Sequence, residues 1–422
     1  MTGTPYLIFI LTVLLLGFLL DLVVSFLNLR CLSPELPAEF TDVFDASEYA
    51  RSQEYTRVNT RFSLVQSSYS LVLTLGFILL GGFNWVDQLA RSLGWGEILT
   101  GLVFTGLIGL ISSLVQLPFS IYSTFILEER FGFNTTTWKT FVVDQMKAIL
   151  LVVLLGGPLL AAILWFFMSC GQFAWLYCWL ASVVFIVVMQ FLAPVVIMPL
   201  FNTFEPLAEG TLKTKITDYA RRQRFALQGI YTMDGSKRSN RANAFFTGFG
   251  RFRRIVFFDT LMSKLEENEL LAVLAHEMGH YKLRHIPTMM VLSVLQTGLM
   301  FYILSLFLGN QGLFAAFGME HVSVYASLIF FGFLYTPISL VLGIFFHMFS
   351  RRNEYQADAY AAQTLQGECG NESLISGLKK LSVSNLSNLT PHPLNVFLNY
   401  SHPPVLARID ALRQKQTSNC HD

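Results

Sequence analysis

The chain has 422 residues, of which 53% are hydrophobic and only 14% are charged. This composition excludes an ordinary soluble globular protein, in which about a quarter of the residues are charged. The formal net charge of +1 gives no indication of a nucleic-acid partner, and the spacing of the five cysteines matches neither a zinc knuckle nor a disulfide framework.

Seven apolar segments are long enough to cross a bilayer, which requires about 20 apolar residues in a helix. Their predicted ranges are 5–28, 63–84, 97–121, 148–169, 173–200, 288–309 and 323–348. The first segment lacks the basic start and the cleavage site of a signal peptide, so we expect it to be a membrane span. The sequence therefore predicts an all-α polytopic membrane protein with about seven transmembrane helices.

The loops between these spans differ in their basic residues. With seven spans, the connections at 29–62, 122–147 and 201–287 lie on the same side as the C-terminal tail, and they are rich in Arg and Lys. The loops on the opposite side contain only Arg91. Basic loops stay in the cytoplasm, so the C-terminal side is predicted to be cytoplasmic. Short loops without an evident retrieval signal favour a prokaryotic inner membrane over the endoplasmic reticulum.

The connection 201–287 is the first clearly soluble part of the chain. Strands are predicted at 225–232 and 254–259, with a shorter extended piece at 243–246. Ser263 and Glu266 have the spacing of a capping box, which predicts the start of a helix, and Pro287 predicts its end.

The chain is divided on this basis into four parts. Helices 1–5 with their loops occupy 1–200, a soluble catalytic part occupies 201–287, helices 6 and 7 occupy 288–348, and a second catalytic part occupies 349–422. One catalytic unit would have to assemble from both soluble parts.

The most informative motif is HEMGH, in which Glu277 lies between His276 and His280. Two histidines four residues apart lie on one face of a helix, about one turn apart, so both can bind one Zn²⁺. The glutamate is placed to take a proton from water at the metal. Such a motif arises by chance in about one chain in a hundred of this size, so the surrounding sequence must show whether HEMGH is a metal site.

A catalytic zinc usually takes three protein ligands. His285 is nine residues from His276, about 180° around a continuous helix, so we expect it to be an interfacial histidine. Glu354 and Asp358 lie one turn apart, which suits a ligand and a carboxylate that orients a ligand histidine. A solvated acidic face paired with nearby arginines is the alternative. The carboxylate candidates after the motif are Glu320, Glu354, Glu368 and Glu372.

Several separate motifs in a fixed order resemble those of the Ste24-type CAAX prenyl proteases, integral-membrane zinc metallopeptidases of the M48 family. They lie at 128–134, 198–202, 243–246, 275–280, 350–358 and 401–404, followed by Arg408. The resemblance implies a barrel of seven helices around a water-filled chamber, with a small zincin-like α+β catalytic part at its cytoplasmic end. It also implies one Zn²⁺ per chain, with Glu354 as the third ligand and Asp358 in support.

The same resemblance implies further site residues. Asn243, Ala244 and Phe245 would bind the substrate, because an extended peptide can pair with an exposed backbone edge. His402 and Arg408 would contact the transition state, whose oxyanion needs donors, or the substrate carboxylate. An ordinary turn at 243–246 and a histidine that merely begins a helix at 402 are the alternatives.

The predicted function is zinc-dependent endopeptidase activity that removes the C-terminal tripeptide of isoprenylated proteins, by Glu277-assisted attack of water. The expected partners are membrane lipids and a peptide or protein with a lipidated C-terminus. One alternative is a membrane-protein quality-control protease of the HtpX type, although those are shorter and have fewer spans. Another is a channel or transporter with a structural zinc, which four ligands would close.

Overall fold

The computed structural model describes residues 3–247, 254–365 and 370–419. Seven helices in these ranges are long and apolar enough to cross a membrane, which confirms the predicted number of spans. Few of their residues are buried within the protein, as expected of helices that contact lipid. Their ranges are Thr4–Arg30, Ala46–Leu79, Glu97–Glu128, Trp138–Ser169, Gly171–Phe201, His285–Phe307 and Val324–Thr364.

The first half of the chain is helical. Short π-helical turns continue α4 and α7 and join α5 to α6, and each lies within about five residues of a proline, whose missing N–H disrupts the regular hydrogen-bond ladder. The α-helices are α1 (Thr4–Arg30), α2 (Ala46–Leu79), α3 (Gly82–Arg91), α4 (Glu97–Tyr122), α5 (Trp138–Leu151), α6 (Gly157–Ser169), α7 (Ala174–Leu192) and α8 (Met198–Phe201).

The second half contains a small mixed sheet and the remaining helices. Their order is β1 (Phe204–Pro206), α9 (Thr211–Arg222), β2 (Gly229–Met233), β3 (Ala244–Thr247), β4 (Arg254–Phe258), α10 (Asp259–Met262), α11 (Glu267–Lys282), α12 (His285–Phe307), α13 (Gln311–Ala316), α14 (Val324–Thr364), α15 (Gly370–Ser384), α16 (Pro393–Asn399) and α17 (Val405–Asn419). The sheet order is β1-β2-β4-β3, with β2 and β4 parallel and the outer strands antiparallel to their neighbours. Strand β3 therefore lies at an edge.

The boundaries in the soluble part differ from the predicted ones. The strand predicted at 225–232 begins only at Gly229, because Arg224 adopts a left-handed conformation and the Phe225 N–H still bonds the end of α9. The predicted capping box is shifted by three residues, since the backbone N–H of Glu266 donates to Glu269 Oε2 at 2.8 Å. The three-residue strand β1, which contains a proline, was not predicted.

The two soluble parts share one hydrophobic core. Leu274 and Met278 of α11 are fully buried together with Phe257 of β4, Leu374 of α15 and Ile409 of α17. The catalytic helix is thus packed between the sheet and the C-terminal helices. Burial of apolar side chains from both parts makes them a single folding unit, although two membrane spans separate them along the chain.

Helix α14 extends well beyond the membrane. Its 41 residues rise about 60 Å at 1.5 Å per residue, roughly twice the hydrocarbon thickness of a bilayer. Its last turns, from about Glu354, pack against α11, and both Glu354 and Asp358 are buried there. A single rigid helix therefore connects the membrane part to the site.

Candidate metal centre and active site

His276, His280 and Glu354 converge between α11 and α14, and one ligand atom of each lies within 4.8 Å of the others. The two histidine Nε2 atoms are 3.2 Å apart. Glu354 Oε1 lies 3.2 Å from His280 Nε2, and Oε2 lies 3.5 Å from His276 Nε2. The structure thus brings together the three residues predicted as metal ligands.

These three residues fit a zinc ion. In a tetrahedral site with bonds of about 2.0 Å, neighbouring ligand atoms are about 3.3 Å apart, which agrees with the separations above. Glu354 Oε2 is buried without a hydrogen-bond partner. Arg408 Nη1 lies 3.5 Å from this oxygen. A buried carboxylate oxygen without a hydrogen bond, beside two converging ring nitrogens, would be stabilised further by a metal cation.

Asp358 and Arg408 support His276 from behind. His276 Nδ1 lies 2.8 Å from Asp358 Oδ1, while Arg408 donates to both oxygens of Asp358 at 2.8 and 2.6 Å. Burial alone would lower the pKa of His276, but its hydrogen bonds with Asp358 and Glu354 outweigh this effect and raise the pKa to about 9. The carboxylates strongly favour positive charge at this position, which a divalent cation also supplies.

Glu277 follows His276 on α11. Burial raises the pKa of its carboxyl group above the ordinary value, and the nearby charge of Glu354 contributes in the same direction. A raised pKa brings a carboxylate closer to neutral pH, where it can accept a proton and later return it.

His402 lies on the open side of the centre. Its side chain is 66% exposed, and its Nε2 is 3.6 Å from Glu354 Oε1. His402 and Asn243 line the same cavity, of about 940 Å³. Asn243, predicted to bind the substrate, and His402, predicted to donate to the oxyanion, thus line the same cavity.

Within the described residues, no strand pairs with the outer edge of β3. The carbonyl of Asn243 accepts from Phe258 N–H, so the alternation of antiparallel pairs turns the backbone groups of Ala244 away from β4. The Ala244 N–H is bonded to the Asn243 side chain at 2.9 Å. Phe245 pairs with Val256 and contacts Phe258 edge-on.

The other predicted residues lie elsewhere. Glu320 accepts hydrogen bonds from Asn84 and Gln88, in loops at the opposite ends of the spans. Glu372 is exposed in the first turn of α15, and Glu368 lies outside the described residues. Arg408 donates to both oxygens of Asp358, and its Nη1 lies 3.5 Å from Glu354 Oε2, so its predicted contact with the transition state or the substrate carboxylate stays a prediction.

His285 begins the sixth apolar helix, as expected, but its predicted direction away from His276 was wrong. Helix α11 ends at Lys282, and Arg284 adopts a left-handed conformation with φ of 59°, so the chain changes direction before His285. The His285 ring then lies against His280, with the two Nδ1 atoms 3.1 Å apart. Its other nitrogen is 3.0 Å from Gln356 Oε1. Pro287 predicted a helix end in this region, but the break lies five residues earlier, after Lys282, where no glycine marks it.

Comparisons with known proteins cover nearly the whole chain. Residues 25–203 match the family model described as "CAAX prenyl protease N-terminal, five membrane helices", and residues 206–416 match "Peptidase family M48". The chain is 34% identical over 417 residues to CAAX prenyl protease 1 homolog of Oryza sativa, covering 97% of both proteins. It is 35% identical to CAAX prenyl protease 1 of Saccharomyces cerevisiae, covering 90% of this chain and 88% of that protein.

A solved structure is similar over the same extent. The crystal structure of S. mikatae Ste24p superposes with a TM-score of 0.90 at 34% sequence identity. The match covers 97% of this chain and 99% of that one. The similarity therefore includes both the membrane helices and the soluble parts.

Proposed function

Because the chain belongs to peptidase family M48 and to the CAAX prenyl proteases within it, we propose that it removes the C-terminal tripeptide of isoprenylated proteins. Cleavage would take place at a zinc site formed by His276, His280 and Glu354. The observation that carries this proposal is the convergence of the three ligand atoms beside Glu277, within 4.8 Å of one another. The catalytic unit is formed by the soluble parts at 201–287 and 349–422 together.

The chemistry divides among the residues of the site. One zinc ion held by His276, His280 and Glu354 would polarise the scissile carbonyl and make water more acidic. Glu277 accepts a proton from the attacking water and returns it to the leaving amine, a role that its burial and raised pKa favour. His402, exposed beside Glu354, donates a hydrogen bond to the oxyanion.

The substrate binds in the cavity that Asn243 and His402 share. Its backbone pairs with the outer edge of β3 through the Ala244 carbonyl, which faces away from β4, by the strand addition common in peptide recognition. Phe245 follows Ala244 on the same strand. The remaining walls combine apolar side chains with polar ones such as Thr56, Asn59 and Asn385, which can bond to a peptide. The lipid tail of the substrate stays with the membrane helices.

Arg408 supports the site from behind His276. Its guanidinium holds Asp358, which in turn orients His276, so we assign Arg408 to positioning of a ligand. His402 is then the residue that remains free to touch the substrate.

The two alternative functions have less support. Quality-control proteases of the HtpX type are shorter, while this chain matches CAAX prenyl proteases over 97% of its length. A structural zinc site in a channel would be closed by four ligands. In the part of the chain that the structure describes, the cluster contains three.

Glu277→Gln tests the proposal. The variant removes the proton acceptor but retains the size of the side chain, so we expect bound zinc to persist while cleavage of a farnesylated CAAX peptide falls at least 100-fold. Glu267→Gln, an exposed position on the same helix, is the matched control and should cleave normally. Undiminished cleavage by Glu277→Gln, or equal cleavage of the same peptide without its lipid, would contradict the proposal.

A further inference from the structure

His285 is a buried histidine beside a metal ligand. It is 6% exposed, although it begins a predicted membrane span. Its Nδ1 lies 3.1 Å from Nδ1 of His280, and its Nε2 lies 3.0 Å from Gln356 Oε1. Both ring nitrogens are therefore occupied within hydrogen-bond distance.

The hydrogen bonds determine where the protons lie. His280 directs Nε2 at Glu354 and His276, so a metal there takes the Nε2 lone pair and leaves the proton on Nδ1. That Nδ1–H can only donate to Nδ1 of His285, which must be an acceptor. His285 then carries its proton on Nε2 and donates it to Gln356, whose Oε1 can only accept.

We propose that His285 and Gln356 form a neutral relay that fixes the tautomer and ring orientation of His280 for metal binding. The other ligand histidine, His276, has a charged support in Asp358 and Arg408. A ligand imidazole that donates its second N–H to a fixed acceptor is a stronger and better oriented ligand. The two ligands are thus supported by groups of different charge. The inference rests on the proposed zinc function.

The break between α11 and α12 produces this arrangement. On a continuous helix His285 would point away from His276. The left-handed Arg284 instead turns the chain, so His285 begins α12 against His280 and within reach of α14. A non-glycine residue in this conformation is strained, which is consistent with a function for the turn.

Zinc affinity, measured by chelator competition without substrate, tests the relay. We expect His285→Leu to bind zinc 10- to 100-fold more weakly than the wild type. His285→Asn, whose carbonyl can accept from His280, should recover most of the affinity. Gln356→Leu should give an intermediate loss, because His285 remains but its tautomer is no longer fixed. His321→Leu, in an exposed loop, is the matched control.

Cobalt substitution provides a readout that a merely structural role would not change. The visible d–d absorption reports the ligand field, so His285→Leu should shift the band while His321→Leu leaves it in place. Wild-type zinc affinity and an unshifted band in a folded His285→Leu protein would overturn the relay and leave the proposed function intact. A wild-type chain that binds no zinc would overturn both.

Discussion

Asp358 lies behind the candidate ligands, where it contacts both His276 and Arg408. It accepts from His276 Nδ1 and from two guanidinium nitrogens of Arg408, and it is 2% exposed. A charge buried this deeply requires partners on every side. The ligand set and its support are thus one network, and a change at Asp358 affects both.

We expect Asp358→Asn to weaken zinc binding 10- to 100-fold with little change in volume. The neutral amide lowers the basicity of His276 and leaves Arg408 with Glu354, 3.5 Å from its Nη1, as its remaining charged neighbour. The measurement is zinc affinity by chelator competition, with the melting temperature as a second readout. Asp410→Asn, an exposed aspartate on α17, should leave both unchanged. Full zinc affinity in Asp358→Asn would show that Asp358 does not support the ligand.

Residue-scale prediction from sequence succeeded where helical periodicity determines the neighbours. His276, His280 and Glu277 are fixed by spacing within one helix, and Glu354 and Asp358 by spacing within another. His285 was misjudged because periodicity holds only while the helix continues. The partner of Arg408 lies 50 residues away along the chain, and no local pattern encodes that contact.

At the scale of elements, the site depends on how closely α11 and α14 pack. Gly279, inside the HEMGH motif, is the point of close approach. A Cβ there would lie 3.0 Å from Ala357 Cα and 3.1 Å from its carbonyl oxygen. Backbone atoms cannot rotate away as a side chain can, so the helices would have to separate. The three ligands come from both helices, and their spacing would change with that separation.

Gly279→Ala should therefore destabilise the protein and weaken zinc binding, although alanine favours a helix by about 1 kcal/mol. Gly377→Ala in α15 is the matched control, because its Cβ would meet only ordinary contacts at 3.7 to 3.8 Å. We expect the control to be neutral or slightly stabilising. Melting temperature and zinc affinity measure both variants. Equal behaviour of the two would rule out close helix approach as the role of Gly279.

The start of α11 is tied to α15 by a buried ion pair. Glu269, 5% exposed, accepts from Lys380 at 2.6 Å and from Ser376 at 2.5 Å. Burial would raise the pKa of Glu269, but the hydrogen bonds from Lys380, Ser376 and the backbone outweigh it and lower the pKa. The stabilisation is therefore present above the unfolded pKa of about 4.3 and is lost as pH falls through the folded value.

Glu269→Gln should lower the melting temperature at pH 7 by several degrees, because hydrogen bonds to a charged group contribute about 1.5–3 kcal/mol. The difference from the wild type should shrink as the pH falls from the unfolded value of about 4.3 through the lower folded value, where the wild-type carboxylate also becomes neutral. Glu372→Gln, at an exposed position in the first turn of α15, is the control. A difference that does not depend on pH would contradict an ionic contribution.

For the whole molecule, the sequence predicted the spans better than the soluble part. Membrane helices are selected by length and apolarity, which are local properties, so their number was confirmed. The sheet depends on non-local pairing, and β1 is too short and too rich in proline to give a signal. The long helix α14 brings the second soluble part to the first, and both parts contribute side chains to one hydrophobic core.

The orientation of the molecule gives its last prediction. Arg91, the only basic residue in the loops on one side, is held by Asp87 and Glu97, while the site lies among basic loops on the other side. We propose from the basic loops that the site is cytoplasmic. In a background without native cysteines, an impermeant maleimide should then label Ser92→Cys in intact bacterial cells and Glu209→Cys only after lysis. The zinc content of both cysteine variants serves as the control for correct folding. The reverse pattern would place the site outside the cell. If both positions were labelled in intact cells, or both only after lysis, they would lie on the same side of the membrane, which would contradict the three spans between them.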